Sequence, residues 1–205
     1  MTEIKLTRSQ IKREAIVEAA IKAFREGGVQ ATSMDKLATL ANVSKRTIYN
    51  HFDSKEALVL HLLAELWRRA TTESDVEYNP EQSLHCQLAK LVETELEFLS
   101  SPDYLDLARV AFDFLFRNPE MLQDELDKLI KKETAIYTWI IAAIDDGKLA
   151  DIDADFAKDQ LHSLIKGSAF WPQLMKLKAP LNSEEKTHLV TETTKMFMAR
   201  YGSCS

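Results

Sequence analysis

Cysteine is almost missing from this chain of 205 residues: Cys86 and Cys204 are its two. Thiols so few and so far apart in sequence exclude a disulfide framework and fit a reducing compartment, so a cytoplasmic location is expected. Glycine and proline number five each, which leaves few breakers, and neither internal repeats nor low-complexity stretches occur. Long hydrophobic runs are also missing. The longest, residues 136–144, is interrupted by Tyr137, Thr138 and Trp139 and reaches less than half a membrane span, so neither a transmembrane helix nor a signal peptide is expected. There is no Walker loop, no paired catalytic acids and no Ser or Cys nucleophile signature. Glu185 and His188 have the Glu-x-x-His spacing of di-iron bundles, but such sites need that motif twice plus two further carboxylates, and no second copy exists. No enzyme activity, metal or cofactor is therefore expected.

What is present is helix. With 45% apolar residues the chain can bury a substantial core, and no segment has the alternation of a strand. Apolar periodicity and breakers predict a first helix from Thr7–Ser9 to Gly27-Gly28, where Thr7 and Gln10 have capping-box spacing and Ile16, Ala20, Ala23 and Phe24 form one stripe. A helix from Ser54 carries Leu58, Leu62 and Leu66 past Arg69. Further helices are predicted at 82–100, 103–117, 119–145, 154–178 and from Ser183 to Gly202. The expected fold is all-α, about nine helices in all.

Charge divides this string of helices. Residues 1–55 hold ten Lys or Arg against six acids, a net of +4, whereas the whole chain carries −6. A basic head on an acidic body fits a nucleic-acid-binding module followed by a domain that avoids nucleic acid. The polar stretch 71–83, with Asn79-Pro80, marks the boundary. The expected organisation is a three-helix DNA-binding domain at 1–54, a connecting helix at 54–75 and a second domain at 76–205.

Residues 31–58 explain the head. Thr32 and Ser33 can cap a short helix whose buried face is Leu37, Ala38 and Ala41. Asn42 suits a left-handed turn residue, Val43 is an apolar plug, and Ser44 is a strong N-cap. A helix from Lys45 buries Ile48 and Phe52 and leaves Lys45, Arg46, Thr47, Tyr49 and Asn50 outward. A helix-turn-helix places such a second helix in the major groove, where Arg pairs with guanine, Asn with adenine and Thr with a thymine methyl. Asp53 and Glu56 repeat the capping-box spacing, so the next helix aims Lys55 and backbone N–H groups outward as a phosphate clamp. Thr32 and Ser33 either hold phosphate or simply cap; His51 either holds phosphate or packs inside the head.

Val43, Ser44, Thr47, Tyr49, His51, Phe52, Lys55, Glu56 and Leu58 match the signature Val-Ser-x-x-Thr-x-Tyr-x-His-Phe-x-x-Lys-Glu-x-Leu, and here the chain closely resembles the TetR family of bacterial transcriptional regulators. Asn42 departs from that family's usual glycine, but both residues tolerate positive φ. Asp146-Gly147-Lys148-Leu149, Gly167 and Phe170-Trp171-Pro172-Gln173-Leu174 are similar to its AefR-like subgroup.

The resemblance implies a ligand-responsive regulator, expected to repress, although residue chemistry cannot separate repression from activation. It implies phosphate contacts from Tyr49 and Lys55, a small effector in the C-terminal domain, and a homodimer on palindromic operator DNA. A regulator without a small ligand is the alternative. Of the aromatic residues in the second domain, Phe98, Phe112, Phe116, Tyr137 and Trp139 are the candidates to line a pocket for an apolar or aromatic molecule, with His162, Asn118 or Arg109 as polar partners; core packing is the competing role. The dimer contact is expected from Leu161, Ile165, Phe170, Trp171, Leu174 and Phe197, in two helices apolar on more than one face.

Overall fold

A computed structural model describes residues 7–72, 77–117, 134–150 and 152–203, with 66–72 described by their backbone alone. Its helices are α1 (Arg8–Ala31), α2 (Met34–Leu40), α3 (Lys45–His51), α4 (Lys55–Thr72), α5 (Leu84–Leu99), α6 (Pro102–Arg117), α7 (Ala135–Asp145), α8 (Ala154–Ala169), the single turn α9 (Trp171–Leu174) and α10 (Ser183–Tyr201). No strand occurs among the described residues; an isolated antiparallel bridge joins Leu149 to Gly202. No described helix is long and apolar enough to cross a membrane. The all-α expectation holds.

The chain divides into two compact units, Met1–Leu66 with Asp106–Ile130, and Trp67–Leu105 with Lys131–Ser205. The sequence boundary had left all of α6 in the second domain. An ion-pair network accounts for part of the difference: Asp106 accepts from Arg25 of α1 at 2.6 Å and from Arg109 at 2.7 Å. Arg109 is thereby engaged with a carboxylate, and Asn118 lies outside the described residues.

In the first unit Thr7 and Gln10 do form the reciprocal capping box that starts α1. The first helical run stops at Gly27-Gly28, as expected, although α1 continues beyond the break. Gly28 kinks it with φ 76°, and helical backbone resumes through Ala31; only glycine takes that angle without steric cost. The stripe predicted for α1 is buried, with Ile16 and Ala20 fully covered.

In the second unit α10 packs on α5 and α8, and α7 packs on α8. The core includes Leu88, Leu91, Val92, Leu96, Trp139, Ile140, Leu161, Ile165 and Phe197. Two predicted helices are interrupted where the periodicity implied continuity. The segment expected at 119–145 has a helix start at Thr134, whose extended backbone and side-chain acceptance from the Tyr137 N–H make it an N-cap; residues 118–133 lie outside the described residues. The segment expected at 154–178 is divided after Ala169, where Phe170 is a turn residue with φ −106° and ψ −62° and Pro172 has no N–H for the carbonyl one turn back. At the other end, Asn182 and Glu185 form a capping box that starts α10. Glu185 of the Glu-x-x-His pair thus serves the backbone.

Candidate nucleic-acid interface

The site starts from caps. Ser33 accepts from the Lys36 N–H and sets the start of α2, and Ser44 accepts from the Thr47 N–H and sets the start of α3. Between the two helices Asn42 takes φ 51°, the left-handed turn anticipated from its side chain, and the Val43 N–H returns to the Ala38 carbonyl. Leu37 and Ala38 on α2 and Ile48 on α3 are buried together with Phe52, so the pair of helices has one inner and one outer face. Lys45, Arg46, Tyr49 and Asn50 are exposed on the outer face of α3. Each of these side chains can approach a base edge without unpacking the head.

Local hydrogen bonds sort the remaining candidates. The Thr47 hydroxyl is 2.8 Å from that of Ser44, so these two share the task of starting α3. Lys45 Nζ lies 2.9 Å from the Asp35 carboxylate; that hydrogen bond raises the lysine pKa above its ordinary value, and the ammonium must exchange it for any contact with DNA. Lys55 donates from Nζ to the Gln30 carbonyl at 3.2 Å, which satisfies an acceptor near the end of α1. Thr32 is a correction as a direct phosphate contact. It is buried, and its hydroxyl donates to the Gly28 carbonyl at 2.9 Å. Ser33 remains exposed and caps, and His51 is half-buried at the end of α3.

A recess of ≈ 400 Å³ opens beside these groups, lined by Ser33, Asp35, Lys45, Tyr49 and Lys55 among others. Ammonium groups, a phenol and a hydroxyl around one opening, with the N-termini of α2 and α4 next to it, suit a phosphate of the nucleic-acid backbone. Asp35, Asp53 and Glu56 also line the recess and oppose an anion there; the pairing of Asp35 with Lys45 offsets one of the three.

The candidates of the second domain are not gathered in one compact unit. Phe98, Tyr137 and Trp139 belong to the second unit, Phe112 and Phe116 to the first. Phe112 and Phe116 stack at 5.9 Å between centroids, and Phe116 is 80% exposed. Phe98 and Tyr137 are half-buried. Trp139 is a correction: it is buried and donates from Nε1 to Gln87 Oε1 at 3.2 Å, as an internal core residue. His162 pairs with Glu95 at 3.3 Å. Tyr104, one of the second domain's aromatic residues but not a pocket candidate, has its ring 4.3 Å from Phe98 and 5.8 Å from Phe170; burial and then Glu95 push its phenol well above the ordinary range.

The dimer residues need the same correction. Leu161, Ile165, Phe170 and Phe197 are buried inside their own unit, where α8 and α10 pack on α5 and on each other and Phe170 meets Tyr104 and Trp171. Trp171 keeps 40% exposure, and Leu174 is half-buried. The apolar groups left outward are Phe156, Trp171, Met175, Leu177 and Met196.

Comparison with known proteins agrees with this architecture. Residues 16–62 match the family model for bacterial regulatory proteins of the tetR family, and residues 86–203 that for the C-terminal domain of AefR-like transcriptional repressors. A crystal structure of a TetR family transcriptional regulator from Pseudomonas syringae pv. tomato str. DC3000 is 40% identical, with a TM-score of 0.84 over 98% of this chain and 100% of that one. The HTH-type transcriptional regulator YhgD of Bacillus subtilis is 30% identical over 66% of this chain and 69% of its own length. RutR of Escherichia coli O157:H7 is 31% identical over 69% of this chain and 66% of its own length.

Proposed function

Because the chain belongs to the TetR family of bacterial regulatory proteins, we propose that it is a cytoplasmic, homodimeric repressor released from a palindromic operator by a small effector. The observation that carries this reading is α3 itself, a seven-residue helix with Ile48 fully buried on one side and Lys45, Arg46, Tyr49 and Asn50 exposed on the other. Lys45, Arg46 and Asn50 read base edges. Thr47 supports them from the cap, and Tyr49, Lys55 and Ser33 hold backbone around the recess. Two such heads engage successive major grooves about 34 Å apart. An effector that binds better to another spacing of the heads lowers operator affinity by its differential affinity for the two states.

Selecting bound fragments from the source genome, followed by footprinting, tests the reading; failure of any fragment to bind overturns it. With an operator in hand, Arg46→Ala is expected to cost about 1–3 kcal/mol and to relax sequence preference at one position. Lys55→Ala should instead weaken all sequences alike and flatten the salt slope by about one. Equal operator binding by both variants and the parent would remove these assignments.

The effector is an apolar or aromatic molecule that uses the half-buried rings of Phe98 and Tyr137. Tyr137→Ala should retain operator affinity and lose release by the effector. By linkage, operator must weaken effector binding by the same factor as effector weakens operator binding. Induction unchanged in that variant would return Tyr137 to ordinary packing.

A further inference from the structure

The recognition helix has an end as well as a beginning, and the end is held by a residue far away in sequence. Arg13 of α1 donates from Nη1 to the carbonyl of His51, the last residue of α3, at 3.4 Å. From Nη2 it reaches Nδ1 of His61 on α4, also at 3.4 Å. Its guanidinium carbon stands 4.5 Å from the centre of the Phe52 ring, which in turn lies 5.4 Å from the His61 ring. One planar group thus joins three helices of the first unit. A cation at a helix C-terminus also opposes the partial negative charge of the last carbonyls.

We infer that Arg13 is a positioning residue for DNA recognition: it fixes the angle at which α3 leaves the head, without touching DNA itself. Three features of the geometry carry this. Arg13 is half-buried and directed at the His51 carbonyl, whereas the base-reading side chains stand on the exposed face of α3. Phe52, under the guanidinium, is buried core, so the contact anchors α3 to packed structure. Arginine has no acceptor, so His61 must present an unprotonated Nδ1 to it, with the proton on Nε2. Consistent with this, burial and then Arg13 hold His61 below its ordinary value, while Glu65 on α4 pulls the other way. His51 and Asp53 are further titratable groups at this end of α3.

The inference rests on the DNA-binding reading, and operator binding by the parent chain settles that reading first. Arg13→Gln, Arg13→Lys, His61→Leu and the double variant Arg13→Gln with His61→Leu are then compared by titration at several salt concentrations. Arg13→Gln and Arg13→Lys are each expected to weaken operator binding roughly tenfold, the range of a lost charge-assisted hydrogen bond. The slope of log affinity against log salt should stay at the parent value, because no phosphate contact is lost. The double variant should be weaker than Arg13→Gln by less than His61→Leu alone predicts, since the two side chains act through one contact. Lysine at position 13 restoring full affinity while glutamine lowers the slope by about one would make Arg13 a phosphate contact and overturn the inference. Parent-like affinity in both Arg13 variants would overturn it equally. If the glutamine variant does not fold, the lysine variant and His61→Leu carry the same comparison.

Discussion

The double substitution Trp171→Glu and Met196→Glu is expected to convert a dimer into a monomer and to weaken operator binding by about 10²–10⁴-fold, the advantage that a second linked half-site confers. Much of the apolar surface of α8 and α10 is already buried. Ala157, Leu161, Ile165 and Ala169 of α8, and Phe197 and Tyr201 of α10, are covered within one protomer. Beyond them Trp171 is 40% exposed and Met196 56%, with Phe156, Met175 and Leu177 exposed as well. Large apolar side chains left outside a filled core are the material of an interface, and carboxylates placed there remain charged without a partner. Light scattering reads the mass and footprinting reads the operator. Phe170→Glu is the informative contrast: that ring is buried between Tyr104 and Trp171, so the variant should unfold rather than dissociate. A parent chain that is already monomeric at micromolar concentration removes the prediction and the dimer together.

The same contrast shows where the sequence was legible. Residues 31–58 could be read almost position by position because caps, turn residue and apolar plugs act over three or four residues, the range in which sequence is local physics. Ser33, Asn42 and Ser44 do what their side chains favour. Thr32 could not be resolved from its neighbour, since its burial depends on α1 continuing past the Gly28 kink. In the second unit periodicity identified apolar faces but not what covers each one. Leu161, Ile165 and Phe197 looked like surplus hydrophobic surface only because the packing of α8 and α10 on α5 is nonlocal. Arg13 was counted as one charge among ten, and nothing in its surroundings in sequence reveals His51 or His61, 38 and 48 residues away. Gln87 gave no signal at all.

Gln87 is nevertheless the polar centre of the second unit, and it leads to a large measurable stability effect of a single substitution. Its Nε2 donates to the carbonyls of Asn79 at 2.8 Å and Gln82 at 3.0 Å. Its Oε1 accepts from the Asn79 N–H at 2.8 Å and from Trp139 Nε1 at 3.2 Å. One buried carboxamide therefore uses all four of its hydrogen-bonding positions and fastens the 79–82 turn to α5 and α7. Trp139→Ala removes an indole that is 1% exposed and should cost about 3–5 kcal/mol through lost burial and the cavity left behind. Trp139→Phe keeps most of the volume and loses one donor, so about 1–2 kcal/mol is expected. Gln87→Leu strands the buried indole N–H, at about 1–3 kcal/mol, and releases the half-buried Asn79 and exposed Gln82 from their contacts. Urea unfolding followed by far-ultraviolet circular dichroism measures all three. Because Trp139 fills core, its truncation should destabilise the fold as a whole, whereas Tyr137→Ala, two residues earlier on a half-buried face, should spare stability and change the response to effector. Trp139→Ala unfolding within about 0.5 kcal/mol of the parent, the range of an ordinary surface substitution, would mean that the indole is not held as packing at all and would restore it to the effector site.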